Sequence, residues 1–162
     1  MSVLGELQPN KVFKYFEEIC SIPHGSRNLQ QISDYLVDFA KAHELKYRQD
    51  EDLNVIIWKD GSKGYEASEP VILQGHMDMV AVKEADCDKN MEKEGLDLEI
   101  NGDYISAKGT SLGGDDGIAV AYTLAVLDDE EMAHPPIEAI FTVNEEIGML
   151  GAATIDVSDL KG

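Results

Sequence analysis

Three short stretches of this chain hold residue types that can do chemistry. In "VILQGHMDMV", residues 71 to 80, an apolar run delivers His76 and then Asp78. In "GGDDG", residues 113 to 117, Asp115 and Asp116 sit between glycines, and in "FTVNEE" an apolar run ends on Glu145 and Glu146. Imidazole is a neutral nitrogen ligand for metals, carboxylates are anionic oxygen ligands, and a carboxylate beside them can move protons. Together these types point to a metal site with a general base.

Each stretch also has an ordinary reading. A lone histidine at a strand end is usually a hydrogen-bonded structural residue. Asp78 alters that reading, because residues i and i+2 share one strand face and its carboxylate can reach the ring nitrogen that His76 does not offer to a metal. Such a partner fixes the tautomer and makes the imidazole a better ligand. In the glycine-rich turn, Asp115 or Asp116 can cap a helix starting near Gly117, which explains one aspartate but not two. Gly109 and Gly114 have the spacing of a phosphate loop, yet Asp115 stands where that loop needs lysine and would repel phosphate. The glycines instead permit a backbone that turns an aspartate inward, where its two oxygens can bridge two cations. Adjacent glutamates are common on surfaces. After the strand-like "AIFTV", however, side-chain alternation predicts that Glu145 and Glu146 leave the sheet in different directions, one to bind metal and one to move protons.

The elements that must position these residues alternate between helix and strand. "PNKVFKYFEEICSI" has helical apolar spacing with Asn10 as a cap, and "NLQQISDYLVDFAKAHEL" carries a stripe of Leu29, Ile32, Leu36, Phe39 and Ala40. "NVIIWK", "VILQG" and "PIEAIFTVNEE" read as strands, "DLEINGDYISAKG" as a hairpin turning at Asn101-Gly102, and "DDGIAVAYTLAVLDD" as a helix. This order predicts an α/β fold, a mixed sheet flanked by helices, in which the hairpin breaks the regularity of a parallel sheet. Sites in such folds gather at the carboxyl ends of strands.

Composition narrows the partners. The 162 residues are 43% hydrophobic and carry a net charge of −19, which suits one soluble domain and makes nucleic acid and anionic membranes poor partners. The longest apolar run, Ile118 to Leu127, is about half the roughly 20 residues of a membrane helix. The amino terminus lacks a secretory layout, so the expected location is cytoplasmic. Cys20 and Cys87 are too few for a thiolate cluster and are expected to be reduced.

"GHMDMV", "GTSLGGDDGIAVA" and "FTVNEEIGMLGA", in this order, closely resemble the amino-terminal part of the co-catalytic zinc peptidases, which include aminoacylase, carboxypeptidase G and the carnosinases. Within that family the wording is most similar to the bacterial aminoacyl-histidine dipeptidases, and the resemblance covers nearly the whole chain. It implies a dipeptidase with two zinc ions: His76 on one, Glu146 on the second, Asp115 bridging both, Glu145 as general base and Asp78 supporting the histidine. It also implies a cis Asp115-Asp116 peptide bond, a dipeptide substrate with a carboxy-terminal histidine, and a homodimer. Residues 1–162 then correspond to the amino-terminal portion of the catalytic domain. Further acidic and histidine ligands and a lid domain are expected downstream, and the segment alone is expected to lack activity.

A different class of function remains open in "DCDKNMEKEGLD", where Asp86, Asp88 and Asn90 take early positions of a calcium loop. Met91 replaces its turn glycine and Asp97 its bidentate glutamate, so a solvated acidic loop is the expectation. His24, His43 and His134 are expected to be structural.

Overall fold

The computed structural model describes residues 2–162. Helix α1 (Asn10–Cys20) buries Val12, Tyr15, Phe16 and Ile19 on one face, as the apolar spacing predicts. Asn10 is not its cap: Pro9 holds that position, and the Asn10 amide instead donates to the Gly5 carbonyl at 2.8 Å. Helix α2 (Gln30–Ala42) buries Ile32, Leu36, Phe39 and Ala40, with Leu29 buried just before it. The remaining elements are β1 (Lys46–Gln49), β2 (Val55–Lys59), β3 (Val71–His76), β4 (Leu98–Asn101), β5 (Tyr104–Ala107), α3 (Gly114–Leu127), β6 (Ile137–Thr142) and α4 (Leu150–Thr154).

The main sheet has the order β1-β2-β6-β3, with β3 and β6 parallel and the other pairs antiparallel. Its mixed character therefore comes from β1 and β2, and the predicted hairpin lies elsewhere. β4 and β5 form a separate two-stranded sheet. Because Asn101 pairs with Tyr104, the tip is Gly102-Asp103 rather than Asn101-Gly102, and Gly102 takes the positive φ of 63° that a tight turn requires.

Side-chain alternation divides the sheet into two faces. Val55 and Ile57 of β2, with Ile137, Ala139 and Phe141 of β6, join the core formed with α1, α2 and α3. Ile56 and Ile140 are buried outside that cluster. On their face, buried Glu138 accepts the N–H groups of Lys161 and Gly162 at 2.9 and 3.0 Å. The Arg48 guanidinium holds the same terminal segment through Asp159 at 3.0 Å and the Asp156 carbonyl. Each fully buried Ile or Phe contributes roughly 1.5–3 kcal/mol, so strand β6 is anchored on both sides.

That anchoring sets the position of the site. β3 and β6 run parallel in a register that pairs His76 with Thr142, so the turns after both strands emerge side by side at one end of the sheet. Among the described residues, no helix is long and apolar enough to cross a membrane.

Candidate metal centre

The first part of the site is the junction between β3 and α3. Gly75 precedes His76 because a Cβ there would lie 3.1 Å from Asp116 Oδ2 and 3.4 Å from the Ala119 methyl. The bare backbone lets the start of α3 come close. Asp116 uses that proximity: its carboxylate accepts the His76 N–H at 3.3 Å and faces the Ala119 N–H. Of the two aspartates, Asp116 is therefore the one turned toward the end of β3, without a side-chain capping hydrogen bond to α3. Burial pushes its pKa up, against the pull of those two N–H groups and the His76 ring.

Asp115 is released for another task. It and Asp116 lie outside helical φ/ψ, the bond between them is cis, and the regular helix begins when the Gly117 N–H donates to the Gly113 carbonyl at 3.1 Å. Gly113 has φ 70°, and a Cβ on it would meet Met79 Sδ at 2.8 Å. The Asp115 side chain is 88% exposed, and its Oδ1 stands 3.1 Å from His76 Nε2.

The state of His76 follows from its other nitrogen. Nδ1 lies 2.9 Å from the Asp78 carbonyl, which can only accept, so Nδ1 carries the proton. In the neutral ring Nε2 then presents a lone pair to Asp115 Oδ1 at 3.1 Å and to Glu145 Oε2 at 3.8 Å. Acceptors facing acceptors need a cation between them, either a proton on Nε2 or a metal ion. Burial alone would lower the His76 pKa, but the Asp115 carboxylate, the Asp78 carbonyl and the charges of Asp78 and Asp116 outweigh it and hold the pKa above the usual imidazole value. Among the described residues, no lysine or arginine pairs with Asp78, Asp115, Glu145 or Glu146. One ligand atom each from His76, Asp115 and Glu146 lies within 4.8 Å of the others. One imidazole and two carboxylates around an uncompensated negative centre fit a divalent cation.

The glutamates arrive differently from the strand-based expectation. β6 ends at Thr142, Asn144 has φ 53°, and Glu145 and Glu146 lie in a turn, where strand alternation does not apply. Both approach His76. Their separate roles depend on the turn, and the turn depends on Asp78. The expectation that the Asp78 carboxylate holds the His76 ring is corrected: the backbone carbonyl does so, while carboxylate Oδ1 is 3.6 Å from Nδ1. The carboxylate instead accepts the Glu145 N–H at 3.0 Å and the Glu146 N–H at 3.4 Å, and it takes the Ser26 hydroxyl at 2.7 Å.

Asp78→Asn replaces one of those accepting oxygens with a donor. The expected outcome is an intact fold with metal affinity reduced roughly 10–100-fold, as for other partners that orient a ligand. Zinc calorimetry with a thermal melt checks this, and unchanged affinity would show that the glutamate turn holds itself.

The remaining candidates lie apart from this centre. His24 donates through Nδ1 to the Ile22 carbonyl at 2.6 Å, and His134 to the Pro135 carbonyl at 2.8 Å. His43 follows α2 and stacks on Phe39, with ring centroids 4.3 Å apart. In the acidic loop the Lys89 ammonium binds Asp97 at 3.0 Å and the Gly95 carbonyl at 2.6 Å, so a cation of the chain's own already neutralises Asp97. Among the described residues, Asp86 and Asp88 belong to no group of three histidine, cysteine or carboxylate ligands close enough to hold a metal. Cys20 is buried and free, its thiol pushed up to about 12 by burial.

Known dipeptidases are similar to this chain. Over 152 residues, 94% of this chain, the sequence is 41% identical to the cytosol non-specific dipeptidase of Escherichia coli K12, and it covers 31% of that protein. The fold matches the aminoacylhistidine dipeptidase of Vibrio alginolyticus with a TM-score of 0.95 and 39% identity, over 98% of this chain and 32% of that one. Nearly the whole of this chain is thus similar to part of each of these two dipeptidases. A tripeptidase from Staphylococcus aureus has a similar fold, with a TM-score of 0.78 and 24% identity over 98% of this chain and 42% of that one. No protein-family model matches. The chain spans about a third of the length of these dipeptidase relatives.

Proposed function

We propose that this chain is the part of a zinc-dependent, cytoplasmic dipeptidase that holds metal and general base, and that the enzyme acts on dipeptides with a carboxy-terminal histidine. The observation that carries the reading is the grouping of ligand atoms from His76, Asp115 and Glu146 within 4.8 Å of one another, with no lysine or arginine paired to them among the described residues. His76 would hold one zinc ion, Glu146 a second, and Asp115 both. When bound, the zinc ions supply Lewis acidity toward the peptide carbonyl and make water more acidic. Glu145, 37% exposed and 3.8 Å from His76 Nε2, is free to take the proton of the attacking water and return it to the leaving amine. Asp78 keeps both glutamates in place through their N–H groups.

The histidine preference draws on the name of the Vibrio relative. The name of the Escherichia coli relative favours a second reading, a broader range of dipeptides. Residues 1–162 are assigned to the amino-terminal portion of the catalytic domain. Further ligands, a lid domain and homodimer contacts are assigned to the part of the relatives' length that this chain does not span.

Two preparations test the proposal: the 162-residue chain, and a chimera in which it replaces the homologous segment of the Escherichia coli dipeptidase. With Asp115 shared, each zinc site in the chain has two protein ligands, where catalytic sites ordinarily have three. Zinc calorimetry on the chain is expected to show weak binding, and no histidine should be released from alanyl-histidine. The chimera should bind zinc tightly and release histidine. Tight binding of two zinc ions with turnover by the chain alone would overturn the division of the site. A folded chimera without zinc-dependent turnover, beside an active parent, would overturn the function.

A further inference from the structure

The loop between α1 and α2 contributes no metal ligand, yet it touches both ligand-bearing turns. On one side the Ser26 N–H donates to the Met79 carbonyl and the Met79 N–H to the His24 carbonyl, each at 3.2 Å. On the other side the Arg27 N–H donates to Asn144 Oδ1 at 2.8 Å, beside Glu145. Gly25 permits the approach, since a Cβ there would stand 2.6 Å from the Ala81 methyl. Between these contacts the Ser26 hydroxyl donates to Asp78 Oδ2 at 2.7 Å, the shortest of the three hydrogen bonds on that carboxylate.

We propose that Ser26 is a positioning residue, whose hydroxyl sets the plane of the Asp78 carboxylate and, through it, the placement of Glu145 and Glu146. The Asp78 carboxylate is 1% exposed, so water does not readily replace a lost donor. With Oδ2 held by Ser26, Oδ1 is aimed at the Glu145 N–H. Without the hydroxyl, Oδ2 keeps only the 3.4 Å bond from Glu146, and the carboxylate is free to turn about its Cβ–Cγ bond. The glutamate turn then loses its fixed anchor. The effect on metal rests on the zinc-site reading, whereas the effect on the turn does not.

The test compares the whole 162-residue chain with its Ser26→Ala and Ser26→Thr variants by two measurements. Amide hydrogen exchange without metal is expected to be about 10-fold faster at Glu145 and Glu146 in Ser26→Ala, with the β2 amides unchanged. Cobalt(II) titration followed by visible absorption is expected to show about 10-fold weaker binding in Ser26→Ala. Ser26→Thr keeps the hydroxyl and should restore both. Unchanged glutamate amides in Ser26→Ala would overturn the proposal. So would a loss of protection that includes β2, or a failure of threonine to rescue, since either makes Ser26 a packing residue. If the amide effect and its rescue appear while neither the chain nor the chimera with the Escherichia coli dipeptidase binds cobalt, the metal reading fails and the contact between Ser26 and the glutamate turn stands.

Discussion

Glu145→Gln is expected to keep metal and lose turnover by about 100- to 10,000-fold, the range a general base contributes. The amide preserves the shape of the side chain and leaves the backbone bond to Asp78 untouched, but it cannot accept the water's proton. Glu146→Ala is expected to lose metal, because its carboxylate is one of the three donors that, among the described residues, lie within 4.8 Å of one another. Both variants belong in the chimera with the Escherichia coli dipeptidase, read by zinc content after dialysis and by histidine release. Equal metal content and equal residual activity in the two would show that their roles are wrongly assigned.

Gly151→Ala is expected to destabilise the chain by about 3 kcal/mol, through overpacking and the loss of buried hydrogen bonds. A Cβ on Gly151 would stand 2.6 Å from both the N and the O of Val143 and closer still to Asn54 Oδ1. None of these atoms can step aside cheaply. Val143 donates to Asn54 Oδ1 at 3.1 Å and accepts the Gly151 N–H at 2.9 Å, while Asn54, 1% exposed, is tied to Asp50 at 2.8 Å. Because Val143 leads into the glutamate turn, zinc affinity should fall together with the urea midpoint. An unchanged midpoint would mean that α4 shifts without disturbing β6.

The sequence and the structure agree where hydrophobic periodicity and side-chain type carry the information. The stripes of α1 and α2 and the apolar runs of β2, β3 and β6 were legible for that reason, whereas the choice of His76, Asp115 and Glu146 as ligands came from the family resemblance, and the structure brings their ligand atoms near one another. β1 was not: Lys46, Tyr47, Arg48 and Gln49 have no buried alternation, and the strand exists because Val55 to Trp58 offer it a backbone edge. α4 is a five-residue helix held by tertiary contacts, with no cap or stripe to announce it. The hydrogen bonds of the Asp78 carboxylate and the way the glutamates leave β6 depart from expectation for one physical reason. Strand alternation was extended past His76 and past Thr142, where the chain already turns and backbone groups decide which atoms meet. Ser26 sits in a stretch that reads as ordinary loop, and only the 52-residue contact to Asp78 gives its hydroxyl a task.

The parallel pairing of β3 with β6 has a consequence for how the protein is kept in a cell. His76 and Asp115 are 39 residues apart along the chain, and Asp78 and Glu145 are 67 apart, so the donors meet only after long-range pairing has formed. On the zinc reading the cation prefers the native chain to the unfolded one, and each tenfold rise in free metal above the dissociation constant adds about 1.4 kcal/mol of stability. Metal supply then governs abundance as well as catalysis: in a cell short of zinc, more copies open at the ends of β3 and β6 and are lost to proteolysis.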